Sequence, residues 1–321
     1  MNILVVGDSH LTGRNPIARK DNFIETQFDK WEYVVELANE HDVPIVHTGD
    51  IFNVAIIANS LLSRFGAIIR KLNNPLYFVW GNHDLQYHSM EMWDRTSLGV
   101  LWKNNDKVRH ISEFWKDYKL WWAWWDWGAD KIQWYGDAPD LFLCHKAIVH
   151  IKQGKKSPWI LEDKEFCTPI DEIKPEFRLI ICGHWHRRYR FKYNDTRVIN
   201  PGPMTRRTVE EWFIPTVMLL NLDTLIGRTY KVSEYLPQQI LSRTHIEQSI
   251  ETMTDNVLKF VDSLKNKKFS HKKSYLKKLM HNLDQHELPN RIEKLLRLII
   301  ADLIEKGKIN EDISTNTDYI K

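Results

Sequence analysis

Five short segments bring Asp, Asn and His together in one order along this chain: Gly7-Asp8-Ser9-His10, Gly49-Asp50, Gly81-Asn82-His83-Asp84, Cys144-His145 and Gly183-His184-Trp185-His186. Their side chains offer carboxylate, amide oxygen and imidazole, which are hard or borderline metal ligands. Without a cysteine cluster, that mix favours Mn²⁺, Fe²⁺ or Zn²⁺ over an iron–sulfur site. Asp8 and His10, two residues apart, can reach one ion from one strand end. His184 and His186 can divide between two. An aspartate bridging two ions about 3.5–4 Å apart is the usual geometry of a binuclear hydrolase; such a pair polarises a phosphoryl group, activates water and clamps both reacting oxygens. His83 has no ligand duty if Asn82 does. It is free to contact a phosphate oxygen or to protonate the leaving group, with Asp84 orienting its ring. No one segment carries weight alone; the ordered set does.

Each segment follows a β-rich run, so strands must deliver the ligands. Ile3–Val6 precedes Asp8, Pro44–Thr48 precedes Asp50, and Leu76–Trp80 precedes Asn82. Leu141–Cys144 precedes His145, and Leu179–Cys182 precedes His184. Ligands at the carboxyl ends of several strands converge in space although far apart in sequence. A glycine before the ligand lets the backbone turn sharply there. Between the first runs, Asn22–Glu40 and Ala55–Leu72 have apolar residues at helical spacing. The βαβα order predicts an α/β layer fold with a mostly parallel inner sheet. Val108–Ile111, Phe114–Trp124, Tyr189–Tyr193, Arg197–Ile199, Thr216–Leu222 and Arg228–Val232 read as further short strands, enough for a second sheet packed on the first. From about His245 to Lys306 the pattern is helical, with breaks near 267–270 and 288–289. Residues 310–321 are polar and read as frayed.

The 321 residues, 43% of them hydrophobic, suffice for a full core with something appended. No apolar run approaches a membrane span and no signal peptide opens the chain, so a soluble, non-membrane protein is expected. Three cysteines, Cys144, Cys167 and Cys182, are too few and odd for a disulfide framework and fit a reducing cytoplasm. The net charge is +3, and Leu241–Lys321 carries all of it.

The segments Asp8-Ser9-His10, Gly49-Asp50, Gly81-Asn82-His83-Asp84, His145 and Gly183-His184-Trp185-His186 resemble those of the calcineurin-like metallophosphoesterase superfamily over about residues 1–220. The resemblance implies a four-layer α/β/β/α fold with two packed mixed sheets, followed here by a C-terminal helical region. It implies that Asp8, His10, Asp50 and His186 hold one ion, that Asp50, Asn82, His145 and His184 hold the other, and that His83 is the catalytic histidine. Within the superfamily, Ile3–Leu11, Thr48–Phe52 and Ile199–Met204 (Ile-Asn-Pro-Gly-Pro-Met) look like SbcD-type nuclease subunits. This narrower resemblance implies a Mn²⁺-dependent DNA exonuclease or endonuclease. Such subunits work as homodimers with an SbcC-type coiled-coil ATPase in recombination and double-strand-break repair. The short length is similar to versions from large tailed bacteriophages, which would act in the host cytoplasm. Some relatives place His or Asp three residues after the bridging aspartate; this chain has Asn53.

Three further features of the chain bear on its substrate and partners. Leu264–His281 holds seven lysines (Lys265, Lys267, Lys268, Lys272, Lys273, Lys277, Lys278) and no acid. A solvated helix face is the default for such a run, but a DNA phosphate contact fits the enzyme reading. Ile292, Leu295, Leu296, Ile299, Ile300 and Leu303 give an apolar helix face of the kind that docks on a partner, here the ATPase. Trp115–Trp134 contains seven of the 14 tryptophans; packing is the first expectation, and stacking on unpaired bases the second. The expected organisation is therefore 1–220 nuclease domain, 221–244 β-rich connector or reduced capping region, and 245–321 basic, partner-binding helices. Ala55–Leu72 and Met90–Trp102 are candidate faces for the homodimer. A phosphatase or phosphodiesterase on non-DNA substrates, and a non-catalytic DNA-end scaffold, are the rival readings.

Overall fold

The computed structural model describes residues 1–135, 139–150, 167–174, 176–209, 211, 213–233 and 235–244. The lysine run at 265–278 and the apolar C-terminal positions lie outside the described residues. Met1–Ser242 forms one compact unit.

Its strands are β1 (Asn2–Val6), β2 (Ile45–His47), β3 (Leu76–Phe78), β4 (Val108–His110), β5 (Ala123–Trp125), β6 (Leu141–Cys144), β7 (Ala147–Val149), β8 (Cys167–Pro169), β9 (Leu179–Cys182), β10 (Tyr189–Tyr193), β11 (Thr196–Asn200), β12 (Thr216–Asn221) and β13 (Gly227–Lys231). The helices are α1 (Phe23–Glu40), α2 (Asn59–Ile69), α3 (Ser97–Asn104), α4 (Phe114–Tyr118) and α5 (Pro237–Ile240). One mixed sheet has the order β13-β12-β1-β2-β3-β4, and a second has β10-β11-β9-β6-β5. Strands β1 to β4 run parallel, as do β5, β6, β9 and β11. β12 joins β1 antiparallel, and β10 joins β11 antiparallel. β7 and β8 pair as a separate two-stranded ribbon.

Period-2 alternation in doubly buried strands builds the layers. In β1, Ile3 and Val5 join Val46, Tyr77, Leu143 and Ile181 in the core between the sheets. Leu4 and Val6 face the other way, onto Phe28, Trp31 and Val35 of α1 and Phe65 and Ile69 of α2. The outer face of the second sheet, with Phe142, Ile180 and Val198, is covered by Ile148, Ile170, Ile173 and Phe177. The expected two packed mixed sheets with helices are thus present.

Some local expectations differ. Phe114–Trp124 is not one strand. Phe114 and Tyr118, four apart, pack with ring centroids 4.7 Å apart on one side of α4. Lys119 in the left-handed conformation ends that helix, and only Ala123–Trp125 is extended. Helix α2 begins at Asn59, and the segment read as helical from Met90 is a 3₁₀ turn (Met90–Arg95) followed by α3. Thr96 caps α3 by accepting from the Gly99 N–H at 3.1 Å. Among the described residues, no helix is long and apolar enough to cross a membrane.

Candidate metal centre

Every ligand identified in the sequence follows the carboxyl end of a parallel strand: Asp8 and His10 after β1, Asp50 after β2, Asn82 after β3, His145 after β6, and His184 and His186 after β9. The two sheets put these ends side by side, and three groups of potential ligands result. They are Asp8, His10 and His186; His10, Asp50 and His83; and Asp50, His145 and His184, each with donor atoms within 4.8 Å of one another. Asp50 is common to two groups. Asn82 Oδ1 lies 3.1 Å from both His145 Nε2 and His184 Nδ1.

The donor atoms suit cations better than each other. His10 Nε2 and His186 Nε2 face one another at 2.8 Å, with the Asp8 carboxylate 3.6 Å from His186 and that of Asp50 3.6 Å from His10. The other ring nitrogen of His10 is buried without a partner. Two other rings have their tautomers set from behind. Nδ1–H of His145 donates to the Thr48 carbonyl at 2.7 Å, and Nδ1–H of His186 donates to a Glu211 carboxylate oxygen at 3.1 Å. A carbonyl can only accept, so Nε2 of His145 is the nitrogen that would turn its lone pair to an ion in the centre, as in most histidine–metal sites. The residues therefore fit a pair of divalent ions.

Electrostatics agree. Burial alone would raise the Asp50 carboxyl, but the charge and hydrogen bond of His145, and then His83, hold it below the usual carboxylate range. Burial alone would lower His145, yet the facing Asp50 carboxylate 3.2 Å away raises it to about 9. Burial, and then the His145 charge, push His184 down to about 3. Burial, and then the Arg207 charge, depress His10. A proton on His145 thus occupies the electrostatic place of a metal ion beside Asp50.

The backbone is shaped for this. His10, Asp50 and His184 have φ of 46°, 53° and 70°, left-handed conformations that non-glycine residues rarely adopt. Glycine is required where loops touch. A Cβ on Gly183 would lie 2.7 Å from Asp8 Oδ1, and one on Gly81 would collide with the Asp50 carboxylate.

A sequence model of the calcineurin-like phosphoesterase superfamily domain matches residues 1–225. The chain belongs to that superfamily. It is therefore a metal-dependent phosphoesterase, a hydrolase. No curated protein matches it. Solved structures similar to it include a novel archaeal phosphodiesterase at 17% identity, covering 72% of this chain and 99% of that one with a TM-score of 0.37. Chaetomium thermophilum Vps29 is similar at 12% identity, with 72% and 95% covered and a TM-score of 0.29. Entamoeba histolytica Vps29 complexed with Zn²⁺ is similar at 14%, with 73% and 100% covered and a TM-score of 0.28.

Of the two residues expected to act in this phosphoesterase beyond the ligands, His83 lies at the centre, its ring 4.8 Å from that of His10. Its Nδ1–H donates to the Asn53 carbonyl at 2.7 Å. Asp84 does not orient that ring. Its buried carboxylate accepts from the Ile51, Phe52 and Gly81 N–H groups at 3.3, 3.0 and 3.2 Å, which ties the Asp50 loop to the Asn82 loop. Burial, then the Asp50 charge, push it up to about 7.

Several residues of the centre had no sequence signal. Glu211 and Arg207 come from the loop that leaves β11, which runs parallel to β9 and so exits at the same end. Asn200 donates to the Trp185 carbonyl at 3.1 Å and accepts from the Gly202 N–H at 2.8 Å, which explains the Asn-Pro-Gly run as a staple on the His184–His186 turn. His47 is buried: its Nδ1 accepts from the Gly49 N–H at 3.2 Å, so Nε2–H donates to Ser9 Oγ at 3.2 Å. Ser9 in turn donates to the Ile51 carbonyl at 3.0 Å, binding the Asp8 turn to the Asp50 loop.

The tryptophan segment divides. Trp122 and Trp124 are buried between the sheets, whereas Trp115 and Trp121 stack on each other at 4.6 Å. Trp127 lies against His184 at 4.9 Å, and the Lys146 ammonium sits 4.7 and 4.8 Å from the Trp125 and Trp127 rings. One flank of the centre is therefore indole and ammonium.

Proposed function

We propose that this phosphoesterase cleaves phosphodiesters of DNA as the nuclease subunit of an SbcC–SbcD-type complex. It would act as an exonuclease or endonuclease on DNA ends during recombination and double-strand-break repair. The observation that carries the DNA reading is the rim of the centre. Arg187, Arg188 and Arg190, all exposed, follow His186 within four residues, at the end of β10 nearest the centre. A polyanion gains from such a rim through counterion release, whereas a small phosphate ester needs no cations that far from the reacting atom. The indole of Trp127 beside His184 adds a face on which a base or sugar can lie.

Asp8, His10, Asp50 and His186 would hold one Mn²⁺, and Asp50, Asn82, His145 and His184 the other; bound there, the ions supply Lewis acidity and activated water. The chain's own groups do the rest. Asn53 keeps a proton on Nδ1 of His83, so Nε2 faces the reacting phosphate. A second proton, carried on that nitrogen, goes to the leaving oxygen as its bond to phosphorus breaks. Glu211 holds the His186 ring, and Asp84 holds two ligand loops in register. The lysines from Lys265 to Lys278 would contact DNA phosphates. The C-terminal apolar positions would dock on the coiled-coil ATPase, and Ala55–Leu72 with Met90–Trp102 would pair two copies in the cytoplasm.

The test is incubation of the purified chain with single-stranded and linear duplex DNA and Mn²⁺, with and without the ATPase. Metal-dependent degradation is expected, and DNA should compete with a generic aryl phosphodiester. Intact DNA under all four conditions, with the aryl ester still hydrolysed, would reject DNA as the substrate.

A further inference from the structure

Arg207 lies on the β11 exit loop and is half-buried beside the centre. Its backbone N–H donates to one Glu211 carboxylate oxygen, while the other oxygen holds His186. Its guanidinium donates through Nη1 to the Asn53 side-chain oxygen, and among the described residues this is its one side-chain partner. Asn53 also holds His83, through its carbonyl at 2.7 Å. One residue thus positions both the imidazole and the guanidinium, on the side of the centre where His83 meets His10 at 4.8 Å. The Arg207 charge reaches His10 as well.

A guanidinium carries five N–H donors in a fixed fork that matches two oxygens of a phosphate. Here the fork is anchored by a neutral amide. Aspartate at position 53 would pair with Arg207 and cancel its charge; asparagine fixes the geometry and leaves the charge for an anion. Serving a centre that hydrolyses phosphoesters, that anion is the substrate.

We propose that Arg207 is a catalytic residue that grips the non-bridging oxygens of the scissile phosphodiester, with Asn53 as its positioning residue. It moves no proton. Its hydrogen bonds strengthen as negative charge gathers on those oxygens in the transition state. The inference rests on the phosphodiesterase reading, and the experiment separates the two.

The full-length protein is loaded with Mn²⁺ and compared with Arg207→Ala, Arg207→Lys, Asn53→Asp and the Asn53→Asp/Arg207→Ala double variant. Hydrolysis of bis(4-nitrophenyl) phosphate is followed together with calorimetric affinities for inorganic phosphate and for Mn²⁺. Arg207→Ala should lower kcat/KM about 10²–10³-fold. It should also weaken phosphate binding at least tenfold while Mn²⁺ affinity and melting temperature stay at wild-type values. Arg207→Lys should recover only part of the rate, because an ammonium lacks the fork. Asn53→Asp should resemble Arg207→Ala, and the double variant should be no worse than either. Wild-type rate and phosphate affinity in Arg207→Ala would overturn the proposal. If wild-type protein hydrolyses no phosphodiester, the functional reading fails, and the phosphate affinities alone then decide the role of Arg207.

Discussion

At the scale of single residues, the centre separates groups that would bind metal from groups that aim those ligands. His83 is held by a backbone carbonyl, not by a ligand carboxylate, so its removal should spare the ions. His83→Ala is expected to lower phosphodiester hydrolysis about 10²–10⁴-fold. Mn²⁺ content, measured by atomic absorption, should stay at the wild-type level; loss of metal together with rate would place His83 among the ligands. Glu211 is the converse case. Its carboxylate takes the His186 Nδ1–H, so Glu211→Gln should weaken Mn²⁺ binding roughly 10–100-fold. Calorimetric titration checks this, and unchanged affinity would deny Glu211 that role. The residues that converge were legible in the sequence because each of their segments begins beside a glycine or ends an apolar run. Glu211 and Arg207 were not, because they sit in an aperiodic loop whose course depends on how β11 joins the sheet. Asp84 was misread because it is next to His83 in sequence. At the end of a strand, neighbouring side chains point apart, and Asp84 turns inward to three backbone N–H groups. The left-handed φ of His10, Asp50 and His184 leaves no mark in residue type.

At the scale of elements, the strands β1, β2, β3, β6 and β9 were readable as short apolar runs, and α1 as a helical stripe. The Trp-rich segment was not, since one composition serves a helix face in α4, a core strand in β5 and an active-site flank at Trp127. Helix α1 also carries a buried cation. Lys30 donates to the Met204 carbonyl at 3.0 Å, and burial, then the charges of Arg19 and Arg206, push it down to about 7 from 10.5. The folded state therefore holds fewer protons than the unfolded chain between those values, so stability should rise with pH across that window. From pH 7 to 8.5 the gain from this group should be roughly 1–2 kcal/mol. Urea unfolding of wild type against Lys30→Met checks it: the variant should lack that increment, and identical pH dependence in both would refute the assignment.

At the scale of the whole molecule, the charge is partitioned. The first 240 residues are balanced overall, yet place Arg187, Arg188 and Arg190 on the rim of the centre; the net +3 resides in Leu241–Lys321. A DNA substrate would meet both. Arg187→Gln with Arg190→Gln should weaken DNA binding similarly for all sequences and reduce the slope of log affinity against log salt by about one per cation. Fluorescence anisotropy between roughly 50 and 200 mM salt reads this. An unchanged slope would remove the rim from the DNA path. How the substrate is engaged beyond the rim was the least legible part, because phosphate contacts depend on where surface charge lies and not on a motif.

The proposed chemistry depends on Asp50 being shared by two ions. Electron paramagnetic resonance of the Mn²⁺-loaded protein tests that most directly, because two Mn²⁺ ions about 3.5–4 Å apart across a carboxylate are exchange-coupled. The predicted result is two Mn²⁺ per chain with a coupled spectrum, replaced in Asp50→Asn by an uncoupled signal or by loss of one ion. A single Mn²⁺ per wild-type chain, or two that remain magnetically isolated, would contradict it.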